Sequence, residues 1–410
     1  MDALLDRVRA VMENNRRTTD KNQYTIPSPE LYPFQWLWDS CFHAIILSKF
    51  DTEAAKTELR GAFSKPLESG MLPHIIYWED PKTVNGTGNW GREMRGDIIN
   101  AAWGVVGTSS VTQPSVMALA VRRVYERDAD RDFLESVYPI LRAHFNYLAR
   151  ERTVPGFGPL LVIVNPDESG EDNSPRFDEM LDLPPMHIPD LHLDARLGLM
   201  QAYASCRFEV TDCMDRHFAV IDSPFNVLYA EDLENLAYLA EELGESADAS
   251  TYRMRSTEVR TALREKLFRE GLFRSFDLVG KRHIAAETWA DFIPLYGGLF
   301  SKEEAETLVE QRLLNVEKFK TPYLVPTTAK SEESFDPKEG FWRGPVWFAP
   351  NWFIYKGLKR YGFDDLAEDL REKSLALLDK SGFREQYNPF TGEGYGGHSF
   401  TWGGLVLDMD

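Results

Sequence analysis

Along most of the chain, apolar residues return every three or four positions. In 225–243 the set Leu233, Leu236, Ala237, Ala240 and Leu243 makes a one-sided stripe, with Glu231, Glu234, Glu241 and Glu242 outside it. That is the period of an amphipathic helix. In 364–378 the stripe is Leu366, Leu370, Leu377 and Leu378, against Asp365, Glu368, Arg371 and Glu372. The same spacing predicts helices over 1–16, 39–49, 51–64, 113–128, 130–151, 190–209, 248–269, 287–298, 301–313, 346–361 and 399–408. That makes about thirteen helices, while the alternation expected of strands is scarce. Small β-hairpins fit only in 65–92 or 153–175.

No Gly/Ser linker, low-complexity tract or long single-sign charge run divides the 410 residues. The expectation is one all-α domain over 1–410. Many helices joined by short turns either close into an (α/α)6 toroid or stack as an open solenoid. A solenoid needs self-similarity at a fixed period, and none is visible, so the toroid leads. Long aromatic-rich connections at 20–38, 65–92, 153–189 and 382–398 suit loops gathered at one mouth. Those at 65–92 and 153–189 are expected to cover the site.

Composition narrows the partners. Lys plus Arg is 46 and Asp plus Glu 65, a formal charge of −19, which disfavours nucleic acid and anionic membranes. The N-terminus MDALLDRVRAVMENNRR has no continuous apolar stretch, and no window approaches the roughly 18 apolar residues of a membrane span. A cytoplasmic protein is expected; homo-oligomerisation is left open. Cys41, Cys206 and Cys213 form no CxxC pair, and Cys206 and Cys213, two helical turns apart, read as separate buried small hydrophobes. The chain holds 10 Trp, 16 Tyr and 25 Phe, and ten tryptophans exceed what a core requires.

Their positions carry the chemistry. The block Tyr32-Pro33-Phe34-Gln35-Trp36-Leu37-Trp38-Asp39 precedes an apolar helix. It reads either as core aromatics with Asp39 as helix N-cap, or as a sugar-binding wall with Asp39 accepting from hydroxyls. In Asn165-Pro166-Asp167-Glu168-Ser169-Gly170-Glu171-Asp172-Asn173-Ser174-Pro175 four acids fall within six residues. Such crowding holds a proton on at least one carboxyl, as a general acid requires; a solvated acidic loop is the plainer alternative, and the spacing of a Ca²⁺ loop is absent. Phe341-Trp342-Arg343-Gly344-Pro345-Val346-Trp347 precedes another helix. Arg384-Glu385-Gln386-Tyr387-Asn388-Pro389 leads through a Gly-rich loop to Phe400-Thr401-Trp402. Two carboxyls on separate loops within an aromatic pocket describe an inverting glycosidase, whose acid and base stand roughly 6.5–9.5 Å apart to admit a water. Glu393 is the rival base and Glu171 the rival acid. His43, His74 and His398 show no metal-ligand spacing, so neither metal nor cofactor is expected.

Taken in order from Tyr32 to Trp402, these blocks resemble glycoside hydrolase family 63, above all its short bacterial branch of mannosylglycerate and glucosylglycerate hydrolases. The resemblance implies an (α/α)6 barrel that hydrolyses small α-glycosides with inversion and without metal. It makes Asp172, in Gly-Glu-Asp-Asn-Ser-Pro, the general acid, and Glu385, in Glu-Gln-Tyr-Asn-Pro, the general base. It places Tyr32, Trp36, Trp38, Asp39, Gln113, Trp342, Trp347, Trp402 and the backbone of Gly170 around the sugar, and Arg196 beside the aglycone. One departure stands out: Asp167 occupies a position where that branch usually has an aromatic residue, which puts negative charge where glycerate would approach. Phe341 stands where Tyr is common. Other readings are a hydrolase of neutral α-linked gluco-disaccharides or oligosaccharides, a sugar epimerase or isomerase with catalytic histidines, and a non-catalytic carbohydrate-binding protein.

Overall fold

Every residue of the helix Leu37–Leu47 is buried, as an inner helix requires and an amphipathic surface helix does not allow. Five further inner segments follow: Met117–Asp128, Ser223–Leu243, Ile293–Tyr296 with its leading turn Trp289–Phe292, Phe348–Arg360, and the 3₁₀ helix Thr401–Asp408. Each packs on the next, and Thr401–Asp408 returns to Leu37–Leu47, so the ring closes. Between them the chain runs outward through Thr52–Ala62, Arg131–Glu151, Ser246–Lys266, Lys302–Leu308 and Asp364–Ser381, while Asp2–Asn15 packs on the last inner segment. This is the expected (α/α)6 toroid, and its closure excludes the solenoid. The structure, a computed structural model, describes residues 2–19, 22–78, 107–208, 210–214 and 216–410; the segments named are those among the described residues. Of the expected covering loop at 65–92, residues 79–92 lie outside them. Among the described residues no helix is long and apolar enough to cross a membrane.

The local differences from expectation have identifiable causes. The first inner helix begins at Leu37, with Trp36 as N-cap and no side-chain cap, so Asp39 lies inside the first turn and does not cap the helix. The expected helix over 190–209 ends at Ser205. Arg207 and Phe208 then adopt positive φ of 55° and 58°, and the reversal brings Cys206 and Cys213 together as a disulfide with Cα atoms 6.2 Å apart, within the range such a bridge spans. This corrects the reading of two separate buried thiols, which assumed an unbroken helix. The strands among the described residues are short, and some pair across the chain: Gln35–Trp36 pairs with Ile75–Ile76, and Val162–Ile163 with Val220–Ile221. The longest is a hairpin that sequence reading placed only as a Gly-rich loop, Arg384–Tyr387 against Gly394–His398.

Candidate active site

Four inner segments present their leading ends to one cavity of about 740 Å³, its open mouth included, a volume suited to a small ligand. Trp38 and Asp39 come from the first, Gln113 precedes the second, Trp347 leads into the fifth and Trp402 opens the sixth. Tyr32, Trp36, Gly170, Asp172, Arg196 and Trp342 complete the residues anticipated from sequence. Glu385 stands just behind this lining: its Oε1 accepts from the Tyr32 hydroxyl at 2.5 Å. All twelve sequence candidates therefore converge.

The aromatic wall is rigid because its members hold one another. The rings of Trp342 and Trp347 are stacked with centroids 4.1 Å apart and planes 10° from parallel, and the Trp347 indole donates to the Phe341 carbonyl at 3.0 Å. Trp38 meets Trp402 edge to face, and the Trp402 indole donates to Asp39 Oδ1 at 2.7 Å. Asp39 is thus oriented within the wall, and burial pushes its carboxyl up to about 6 against the opposing pull of His43 and this hydrogen bond. Gln113 Oε1 accepts from the Trp38 backbone N–H at 3.0 Å, tying two inner segments across the pocket.

The acidic loop divides its four carboxylates by side. Glu168 turns inward to Arg152, at 2.7 Å, and Glu171 turns inward to Arg176, at 2.8 Å. Both are buried and structural, so Glu171 is set aside as acid. Asp167 and Asp172 face the cavity and share one cation, with Arg196 Nε 2.8 Å from Asp167 Oδ1 and a terminal nitrogen 2.7 Å from Asp172 Oδ2. The Nε contact is an ion pair whose N–H is not aligned as a hydrogen bond. Arg196 reaches them from the helix Pro189–Ser205. The loop can approach Trp38 only because residue 170 is glycine: its φ is +76°, and a Cβ there would overlap the indole ring.

Glu385 is placed by an irregularity in the hairpin. Arg384 pairs with His398 and Gln386 with Tyr395, so Glu385 alone faces the two bulged residues Gly396 and Gly397, a device that re-aims a side chain. Its Oε2 accepts from Gly397 N–H at 2.9 Å. Gly396, at φ +67°, leaves the room that Glu385 fills, and a Cβ there would overlap the carboxylate. Burial raises Glu385 to about 7, against the two hydrogen bonds, with Asp172 adding to the rise through its charge. Its rival Glu393 is exposed and accepts from Tyr395 outside the cavity. Asp172 is the more open carboxyl, its side chain 28% exposed, where Glu385 is 2% exposed.

Sequence reading missed Pro27, Leu193 and Leu197, which also line the cavity. Leu193, Arg196 and Leu197 follow the i, i+3, i+4 pattern of one helix face, a signal that an amphipathic reading of 190–205 could have used. His74 lines the cavity too, with Nδ1 2.9 Å from Ser109; burial first, then the nearby Arg196, lowers it to about 3. It is neutral near pH 7, like an ordinary satisfied histidine. Among the described residues no cluster of three or more His, Cys, Asp or Glu could hold a metal ion.

Comparison with known proteins places this geometry. A family model described as a mannosylglycerate hydrolase MGH1-like glycoside hydrolase domain matches residues 32–403. A mannosylglycerate hydrolase of Thermus thermophilus is 35% identical over 96% of both chains. A glucosylglycerate hydrolase of Mycolicibacterium hassiacum is 29% identical over 96% of this chain and 95% of its own length. The crystal structure of a glycoside hydrolase family 63 mannosylglycerate hydrolase from Thermus thermophilus, in complex with Tris, superposes with a TM-score of 0.85 over 99% of both chains at 32% identity.

Proposed function

This chain belongs to the mannosylglycerate hydrolase MGH1-like glycoside hydrolases, and we propose that it hydrolyses a small α-glucoside or α-mannoside of the glycosylglycerate type with inversion. One observation carries the mechanism: two carboxyls on separate loops of one aromatic cavity, one toward its mouth and one buried behind it. An acid must lie beside the departing aglycone, which leaves through the open side. Asp172 fits that place. The base needs only a water, and Glu385, held from two directions by Tyr32 and Gly397, keeps a second lone pair on each oxygen for it. Glu385 takes a proton from that water, whose oxygen attacks the anomeric carbon. Asp172 gives its proton to the glycosidic oxygen as the C–O bond breaks. Asp39 accepts from sugar hydroxyls, and Trp36 and the Trp342–Trp347 stack cover the apolar face of the ring. Asp167 favours a second reading, hydrolysis of an α-linked compound with a neutral aglycone, because it sets a negative charge beside Asp172.

Proton NMR of α-glucosylglycerate and α-mannosylglycerate turnover tests this. The β-anomer of the free sugar should appear first, together with glycerate. Early α-anomer would mean retention, and sugar interconversion without a released aglycone would support an epimerase.

The pair of carboxyls also sets a pH limb. The reactive form holds one proton over the two groups, and coupled groups titrate as a pair. Glu385, raised to about 7, gives up that proton last, whichever carboxyl carries it in the reacting fraction. Below about 7 the single proton is present; above it the pair is empty and no acid remains. kcat/KM for a neutral glycoside should therefore fall about tenfold per unit as pH rises beyond about 7, and a kcat/KM that rises through 7 would refute the pairing.

A further inference from the structure

Arg196 is the only cation lining the cavity among the described residues, and His74 beside it is neutral near pH 7. Its one positive charge faces two carboxylates, Asp167 and Asp172. In the form that can react, Asp172 carries a proton, so the remaining charges are Arg196 and Asp167, and they cancel. An aglycone leaving past Asp172 passes this pair. If that aglycone carries a carboxylate, it meets no free cation and becomes the second anion on one guanidinium. If it is an uncharged polyol, it meets a neutral pair rich in hydrogen-bonding groups.

We infer that Asp167 is a specificity-determining residue: its carboxylate occupies the Arg196 guanidinium that an anionic aglycone would use, and so weights the pocket toward uncharged aglycones. The inference rests on the proposed reading of Asp172 as the acid on the aglycone side. The local structure supports a built feature. Asp167 is 12% exposed, at the start of the 3₁₀ turn Pro166–Ser169, where the Asn165 side chain accepts from its backbone N–H at 2.9 Å. Asn165 also donates to the Arg196 carbonyl at 3.1 Å, so one side chain fixes the spacing of both partners. Glu168, next in the chain, is neutralised by Arg152 and cannot replace Asp167. Protonation of Asp167 would free Arg196. The groups that face the pair among the described residues are Asp172, Glu168, Tyr32, Tyr77, His74, His187 and His192. Burial raises the Asp167 carboxyl to about 6, with Arg196 opposing.

The test compares α-glycosylglycerate with the matching α-glycosylglycerol, using whichever of glucose or mannose the wild type accepts. The ratio of the two kcat/KM values cancels the titrations of Asp172 and Glu385, which both substrates share. Asp167→Asn should raise the glycerate-to-glycerol ratio about tenfold or more, through a KM that falls for the glycerate compound and not for the neutral one. In the wild type alone, the ratio should rise as pH falls from 7.5 to 5.5, because protonated Asp167 releases Arg196; this arm does not depend on the folding of the variant. A ratio unmoved by both the substitution and pH, in an enzyme that turns over the substrates, overturns the inference and leaves the proposed function standing. Failure of the wild type to hydrolyse either compound overturns the proposed function and this inference with it.

Discussion

Replacing Glu385 with glutamine should lower kcat by ~10²–10⁴-fold with little change in sugar affinity, the range lost with a general base. Glutamine preserves size: its one oxygen can still accept from the Gly397 N–H, and its amide NH2 can donate to the Tyr32 oxygen, where the two carboxylate oxygens of Glu385 accept at 2.9 and 2.5 Å. It cannot accept a proton from water. Asp172→Asn should cost a similar factor for a natural aglycone, since an alkoxide leaving group needs protonation. The two losses separate when the leaving group needs no proton. With an α-glycosyl fluoride, Asp172→Asn should recover most of its rate and Glu385→Gln should not. The reverse pattern would exchange the two roles, and full turnover by either variant on the natural substrate would remove that carboxyl from the mechanism.

The electrostatics of the site make this experiment informative. Arg196 stands 2.7 Å from Asp172, while burial favours a proton on Glu385. Electrostatics alone would therefore give the acid role to Glu385. Position argues the other way, because Glu385 is enclosed behind Tyr32 and Asp172 is toward the mouth. We take position as decisive: an acid must touch the departing oxygen, whereas a minority protonation state can still carry the reaction.

The toroid was legible because helical periodicity survives in most of the outer helices, and the aromatic blocks were legible because they fall between helices. The hairpin that carries Glu385 was not. Its partner Gly394–His398 has three glycines in five residues, no strand alternation and no β-branched residue, so only tertiary placement reveals it. Nor did spacing separate the four acids of 167–172. Which carboxylate turns inward depends on Arg152 and Arg176, one upstream on a different element and one beyond the next turn. The helix expected over 287–298 was misjudged in length: Pro294 and the pair Gly297-Gly298 confine it to a 3₁₀ turn and Ile293–Tyr296. The Asp39 cap failed for a related reason, since an all-buried helix shows no polar face to mark where it starts.

Removal of Glu168 should be the most damaging single change to the folded state, lowering stability by ~3–5 kcal/mol, the usual consequence of stranding a buried charge. Glu168 is wholly buried and receives four hydrogen bonds, two from Arg152 at 2.7 and 2.8 Å and two from the backbone N–H groups of Thr112 and Val164 at 3.1 and 2.8 Å. In Glu168→Ala the Arg152 guanidinium keeps its charge, its burial and no anion. Both segments of the site lose their anchor, because Thr112 precedes Gln113 and Glu168 lies between Asp167 and Gly170. The paired substitution Arg152→Met with Glu168→Leu removes both charges, and it should recover a large part of the stability while leaving the two backbone N–H groups unsatisfied. Urea denaturation of wild type, both single variants and the double variant measures this as a thermodynamic cycle. A single variant no less stable than the double would show that Arg152 finds another partner, and Glu168 would then not be what holds the acid-bearing loop.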